Sequence, residues 1–281
     1  MRINSCAAVL GILGLVFFGG NAEAATRTEN FAKSYPLGAG GEVQLRNVNG
    51  GVTLEAWDRN EVRVEAEKKA RGRDDAAIRK ALQEIRIEVS RTAGGLRIET
   101  RLPSRKNGFL DWLTGDDVST SVEYRIRVPR NSPLGIQSVN GGLKLTGTRG
   151  RAHLTTTNGG IDVAQVTGNL RLETINGGIN VASSAGAVNA SSTNGGIEVR
   201  LADVPDGSDL SFETINGGIT LQLPGDVRAT VDAATTNGQV SSDFQVSGDT
   251  KSRRRVAGEI NGGGGTLRLR TSNGSIHIVE G

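Results

Sequence analysis

A phrase ending in Asn-Gly between two alternating apolar runs returns through most of this chain, and it limits the fold more than any other feature. LRLETINGGINV spans residues 170–181, and LSFETINGGITL spans 210–221. Outside the 103–117 segment, which holds Asn107-Gly108, Asn-Gly pairs begin at Asn49, Asn140, Asn158, Asn176, Asn194, Asn216, Asn237, Asn261 and Asn273. From Asn140 to Asn194 the spacing is a constant 18, and glycines recur every nine residues from Gly141 to Gly195. A repeat of this kind governs every other reading, because each unit can bury its apolar face only against its neighbours.

Alignment on the asparagines shows what the repeat encodes. Four residues before each stand Ile136, Leu154, Leu172, Ala190, Phe212, Ala233 and Leu269; two before stand Ser138, Thr156, Thr174, Ser192, Thr214, Thr235 and Thr271. Three after come Leu143, Ile161, Ile179, Ile197, Ile219, Val240 and Ile276, and apolar residues from Leu145 to Ile278 fill the fifth place, except at Ser242. This is period-two alternation on both sides of a corner, with residues such as Arg171, Glu173, Asp162, Asn180 and Glu198 turned outward. The corners at Asn140, Asn158, Asn176, Asn194, Asn216, Asn237 and Asn273 are therefore architecture first.

Two architectures fit the beat. An antiparallel β-meander or sandwich would use each glycine as a hairpin tip. A single-stranded β-helix, a β-solenoid, would use two half-coils of about nine residues per 18-residue repeat, stacking like residues about 4.8 Å apart. Near-identity at 18 residues favours the solenoid. Hydroxyls and amides stacked at that distance can hydrogen-bond along the ladder, which accounts for Ser or Thr at an inward place. Glycine after asparagine supplies the positive φ that either corner needs. Forty glycines against six Phe, two Tyr and two Trp suit a thin sheet-built core closed by tight turns. The repeat degrades late, where ADVPDG inserts residues before Phe212 and NGGGG occupies 261–265. Atypical terminal repeats are expected to cap a stack.

Residues 1–24 read as a secretory signal peptide. Arg2 is followed by a small and apolar run, then by Ala22-Glu23-Ala24, a small-x-small cleavage site. Cleavage removes Cys6, the one cysteine, so the mature chain must hold itself by packing and hydrogen bonds. No later apolar stretch is long enough to cross a bilayer as a helix. Thirty-three Lys and Arg against 30 Asp and Glu give a formal charge of +3, with the two signs interspersed. That balance argues weakly for anionic envelope surfaces and gives no case for nucleic acid.

Residues 25–130 read as a β-rich region with one helix, and 131–281 as the NGG-repeat solenoid. EVQLRNVNGGVTLEAW carries one copy of the repeat, with Leu45, Val52 and Leu54 in its apolar places. NEVRVEAEKKA, IRIEVSR, GLRIETRL and SVEYRIRVP alternate as strands, the last ending at Pro129. RDDAAIRKALQEI places Ala77, Ile78, Ala81, Leu82 and Ile85 at helical spacing after an Asp74 cap. In NVNGGVTLEAWDRNEVRVEAEK (47–68), VEYRIRVP (122–129) and the NGG run, the chain resembles the DUF4097 adhesin family, also described as β-strand-repeat proteins. The resemblance covers nearly all of the chain after the leader. It implies an exported or envelope protein of β-helix character, in a family some of whose members sit among cell-envelope stress genes. It implies no catalytic residue.

The chemistry-bearing residues are sparse. His153 and His277 both alternate outward and belong to no recognisable nucleophile motif. NGGIDV, NGGINV, NGGIEV and NGGITL lack the recurring Gly-x-Asp of calcium-binding nonapeptides. Asp162 with Glu198, two coils apart, and Glu173 with Glu213 are the carboxylate pairs that a glycosidase would need, although a soluble sheet also requires such outward charges. No metal or cofactor is expected. The sharper feature is PSRKNGFLDWLTGDD (103–117), which gathers Phe109, Leu110, Trp112 and Leu113 beside Arg105 and Lys106. It fits a hydrophobic tip that touches a partner or membrane surface, or a segment that folds back to cap the β core. TKSRRRVAG (250–258) reads as a basic, solvated turn.

These readings converge on an exported, non-enzymatic β-repeat protein, periplasmic or on the cell surface. It would be an adhesin or envelope-binding protein whose partner is an envelope protein, a glycan or a membrane surface. A periplasmic scaffold associated with envelope stress, or a carbohydrate-active β-helix enzyme, are the alternatives.

Overall fold

A computed structural model describes residues 24–38, 40–103 and 118–281. The leader before Ala24 lies outside it, as do residues 104–117, so Phe109, Leu110, Trp112 and Leu113 are not among the described residues. The chain opens with β1 (Ala25–Pro36), β2 (Glu42–Arg46), β3 (Val52–Trp57) and β4 (Glu61–Gly72), then α1 (Asp75–Glu84), β5 (Arg86–Thr92), β6 (Gly95–Arg101) and β7 (Ser119–Pro129). Regular coils follow: β8 (Leu134–Asn140) with β9 (Leu143–Thr146), β10 (Ala152–Asn158) with β11 (Ile161–Ala164), and β12 (Leu170–Asn176) with β13 (Ile179–Ala185). Next come β14 (Val188–Asn194) with β15 (Ile197–Asp203), β16 (Leu210–Asn216) with β17 (Ile219–Leu223), and β18 (Ala229–Asn237) with β19 (Val240–Ser242). The chain closes with β20 (Ser247–Ser252), β21 (Arg255–Ile260), β22 (Gly265–Asn273) and β23 (Ile276–Glu280).

Within each coil the strand before the Asn corner joins one sheet and the strand after it joins the other. Neighbouring coils pair in parallel: Leu172 lies beside Leu154 on one side and Ala190 on the other, and Ile179 lies between Ile161 and Ile197. A meander would pair them antiparallel, so the repeat is a solenoid of two sheets, with 11 and 12 strands. The inward residues of both sheets form one core cluster running from Leu37 to Ile278, with Phe212 among its largest fully buried side chains. Both sheets run unbroken past residue 130, since β2 pairs with β8 and β3 with β9.

Three devices hold the corner. Asn140, Asn158, Asn176, Asn194 and Asn216 each donate from Nδ2 to the Oδ1 of the preceding corner, at 2.7–2.8 Å, starting from Asn49. Asn273 continues the ladder to Asn216 at 2.9 Å, and Asn237 donates to Asn273 at 2.8 Å. The buried hydroxyls bond the backbone and not one another: Thr174 Oγ1 donates to the Gly159 carbonyl at 2.9 Å, and Thr156, Ser192, Thr214, Thr235 and Thr271 do likewise one coil back. In the first coil Asn47 stands in this place. Its Nδ2 donates to Gly50 O (2.9 Å) and Val122 O (3.0 Å), tying the stack to β7, while Ser138 Oγ has no partner among the described residues. The third device is glycine itself, and it acts through proximity more than φ: a Cβ on Gly177 would sit 2.1 Å from the Gly159 carbonyl oxygen.

The order of coils departs from the order of the chain. Strand β22 lies between β16 and β18, and β23 between β17 and β19. The chain thus skips one layer after β17, builds β18 and β19, turns back through the β20–β21 hairpin, and fills the skipped layer last. The two degraded stretches do not cap the stack: ADVPDG leads into β16 and NGGGG into β22, both interior, and the near-consensus GTLRLRTSNGSIHI is interior with them, while β18, β20 and β21 form the end. Asn261 is no corner: its backbone is left-handed (φ 51°) and its Nδ2 donates to the carbonyls of Gly225 (3.0 Å) and Val227 (2.9 Å), pinning the return. The basic stretch 250–258 is not a solvated turn, since most of it is strand in the antiparallel β20–β21 pair against β18. At the other end β1, β4 and β7 pair antiparallel, as do β5 and β6. Helix α1 starts at Asp74, whose carboxylate accepts from the amides of Ala76 and Ala77, and it buries Ile78 while lying against β4 and β1.

Candidate functional site

Parallel register turns every outward residue type into a row. Across the 11-stranded sheet Lys144, Asp162, Asn180, Glu198, Thr220, His277 and Ser241 stand in one line. Beside it runs a strip of Gly160, Gly178, Gly196 and Gly218, and the two form a shallow open groove of about 560 Å³. Asp162 and Glu198 are two strands apart, about 10 Å between Cα atoms, with Asn180 between them, and Glu198 accepts from Arg200 Nη2 at 2.5 Å. Glu173 and Glu213 stand on the other sheet, with Ser191 between them. The two carboxylate pairs therefore face opposite directions, each on an open face. His277 Nδ1 meets Ser241 Oγ at 2.8 Å, a hydroxyl–imidazole contact that the sequence did not reveal because their strands are joined only by the inserted coil. Among the described residues no carboxylate lies within ion-pair distance of His277 to orient it, and no group of three or more His, Cys, Asp or Glu gathers as a metal site.

The 12-stranded sheet carries the more differentiated surface. One outward row runs Arg97, Gln44, Gly135, His153, Arg171, Asn189. Gly135 has no side chain to contribute, so the row dips there into an open groove of about 600 Å³ floored by backbone. On the diagonals, Arg46 lies two residues beyond Gln44 on β2, and Arg151 two residues before His153. Four arginines therefore surround one glycine. Arg97 donates from Nε (3.2 Å) and Nη2 (3.0 Å) to Gln44 Oε1, and Gln44 Nε2 donates to Glu42 Oε2 (2.9 Å). Arg171 Nε donates to Glu173 Oε1 at 2.5 Å. Glu99, opposite Arg46 on β6, is within 3.9 Å of Arg101 Nη2. At the far end of the same sheet charge is neutralised locally: Arg270 and Arg255 both donate to Asp232, and Arg270 above all holds that carboxyl below the usual carboxylate range.

The NGG edge joining the sheets adds a third surface. The residue before each corner asparagine points out, leaving Val48 (37%), Val139 (42%), Ile175 (49%) and Ile215 (51%) exposed. The corner asparagines themselves are occupied with one another, as their ladder requires. Neither the arginine groove nor this edge was read from the sequence, although both lay in the aligned columns. Gly135 falls where the other repeats have His153, Arg171, Asn189 and Ser211, and the X of X-Asn-Gly repeats as Val, Thr, Ile.

No helix among the described residues is long and apolar enough to cross a membrane. Comparison with curated proteins finds no match. Among solved structures, a candidate cell adhesion protein of Clostridium sporogenes is 14% identical, with 90% of this chain and 100% of that one covered at a TM-score of 0.34. A candidate adhesin of Parabacteroides distasonis is 10% identical over 89% and 97% of the two chains, at a TM-score of 0.43. A candidate lipid-binding protein of the same organism is 12% identical over 89% and 96%, at 0.33. These values are too low to transfer a ligand. The family model described as Toastrack DUF4097 matches residues 42–279, from the start of β2 almost to the end of β23, and the chain belongs to that family.

Proposed function

We propose that this chain is an exported, non-enzymatic binding protein of the cell envelope or cell surface, adhesin-like in the sense that it works by presenting side chains and not by transforming a ligand. The observation that carries the reading is the constant parallel register, which holds outward Arg, Glu, Asp, Asn and Thr side chains in straight rows at strand spacing, about 4.8 Å. A stack bonded coil to coil by backbone, asparagine and threonine gives those rows little freedom, so little entropy is lost when a partner docks. The apolar sequence segment with Phe109, Leu110, Trp112 and Leu113 belongs to the same reading as a second contact. Photo-crosslinking of the full chain in its native envelope tests this. Recovery of a defined envelope component is expected; recovery of none, with the protein found in the cytoplasm, overturns it. Deleting residues 104–117 separates the two contacts, because binding that survives belongs to the β faces. The aliphatic edge of Val139, Ile175 and Ile215 favours a second reading, a periplasmic scaffold, in which the crosslinked component is one specific protein docked along that edge.

A further inference from the structure

We propose that the groove around Gly135 on the 12-stranded sheet binds a single chain of a carboxylate-bearing polysaccharide; the inference rests on the binding reading above and names the ligand class for one of its faces. Geometry supports it first. Gly135 lies at the centre of a cross: Arg97 and Arg171 are each two strands away along the row, about 10 Å, and Arg46 and Arg151 each sit on a diagonal at about 8 Å. The four guanidinium groups thus surround an open trough long enough for several sugar units.

Charge supports it second. The four arginines face three carboxylates, Glu42 within the groove, Glu173 at its rim and Glu99 opposite Arg46, so positive charge is in excess even with His153 neutral. Arg46 and Arg151 have no carboxylate partner among the described residues. An exposed guanidinium offers a planar fork that matches a carboxylate with two parallel hydrogen bonds.

The remaining lining selects among polyanions. Gln44, Gln137, Asn169 and Asn189 present primary amides, which donate and accept and so match sugar hydroxyls. No Phe, Tyr or Trp lines the groove, and the single imidazole of His153 offers no succession of rings on which consecutive bases could stack, which disfavours nucleic acid. The trough is concave and without exposed aliphatic side chains, so a flat bilayer could reach its arginines only at the rim, whereas one extended chain can lie on the Gly135 floor.

The test uses the full mature chain with polygalacturonate as probe, its fully methyl-esterified form as the uncharged control, and phosphatidylcholine vesicles containing phosphatidylglycerol as the lipid arm. Salt-sensitive binding of polygalacturonate alone is expected. Arg46→Gln with Arg151→Gln should weaken it at least tenfold. Gly135→Gln should weaken it severalfold with no change in charge, since a Cβ there meets nothing closer than 3.8 Å and the fold can accept it. Arg125→Gln with Arg127→Gln removes two outward charges from β7 on the opposite sheet and should leave binding intact. Absence of polygalacturonate binding, equal loss in the opposite-sheet variant, or binding to vesicles in its place would each overturn the proposal. If the groove variants still crosslink to the envelope as the parent does, the binding reading stands and the ligand class falls. If the parent crosslinks to nothing, the broader reading falls first.

Discussion

Gly177 and Gly178 are neighbours in one corner and are constrained very differently. A Cβ on Gly177 would lie 2.1 Å from the backbone oxygen of Gly159, and the same clash recurs at Gly159, Gly195, Gly217 and Gly274. A Cβ on Gly178 would meet Gly196 O at 3.3 Å, and the equivalent places in other coils are already filled by Ser275 and Gln239. Gly177→Ala should therefore cost several kcal/mol, roughly 3–5, by forcing two coils apart, whereas Gly178→Ala should change stability by no more than about 1 kcal/mol. Thermal melts of the two variants side by side check this. A second residue-scale expectation concerns Tyr124, whose phenol lies in the core and shares a 2.7 Å hydrogen bond with Thr100 on the opposite sheet. Burial, opposed by that bond, pushes its pKa up to about 12. In the unfolded chain the phenol ionises near pH 10, so the preference for the folded state is complete below pH 10 and is lost as pH rises from 10 to 12. The loss should amount to about 1.4 kcal/mol per pH unit, up to about 3 kcal/mol. In Tyr124→Phe that part of the alkaline slope should vanish in urea unfolding at pH 9 and 11.5, at a cost near neutrality of about 1 kcal/mol from the unpaired Thr100 hydroxyl.

The elements divide into a uniform interior and dissimilar ends. Interior strands were legible because alternation is enforced on both sides of every corner: Leu172 and Thr174 are buried before Asn176, Ile179 and Val181 after it. Helix α1 was legible through its Asp74 cap and the spacing of Ile78 and Ile85. Strand β1 was not, for TRTENFAKSYP shows little apolar alternation and is ordered by antiparallel pairing along the whole of β4. The β20–β21 hairpin was missed for a related reason, since Arg253 and Arg254 at its turn carry none of the glycine or asparagine that advertises one. The arginine groove was invisible for another: Arg97 and Arg46 meet Arg151 only through pairings of β6 with β2 and β2 with β8, which local pattern cannot encode. The ends also do work that the interior cannot. Edge strand β5 presents Arg86, Glu88 and Arg91 at its exposed positions, charges that discourage a second stack from adding there. Replacing all three with Thr should leave the monomer folded and produce concentration-dependent oligomers in sedimentation; a monomer at every concentration would refute this role.

For the molecule as a whole, the decisive feature is that the layer formed by β22 and β23 is bonded on both sides, to β16 and β17 below and β18 and β19 above. Its amides should exchange with solvent only through global unfolding, while those of β20 exchange early by local opening; the reverse order in hydrogen-exchange mass spectrometry would contradict the register. A chain stopped after Gly264 should lose its cooperative transition, and a peptide of residues 265–281 added in trans should restore it. Nothing in TLRLRTSNGSIHI names its neighbours, since Thr271 and Asn273 would fit beside any consensus coil, so the insertion follows from the one vacant layer and not from a local signal. The ribosome makes this layer after both of its neighbours. A chain that emerges N-terminus first, from the ribosome or on export, presents the coils up to β17 early, but their joining to the far end waits for residues 265–280. An interrupted chain is therefore not a shorter version of the protein: it has a hole in its middle, flanked by two bare parallel edges. Closure of the stack thus hangs on a layer made after both of its neighbours, and a product lacking that layer leaves unpaired strand edges of the kind that invite aggregation.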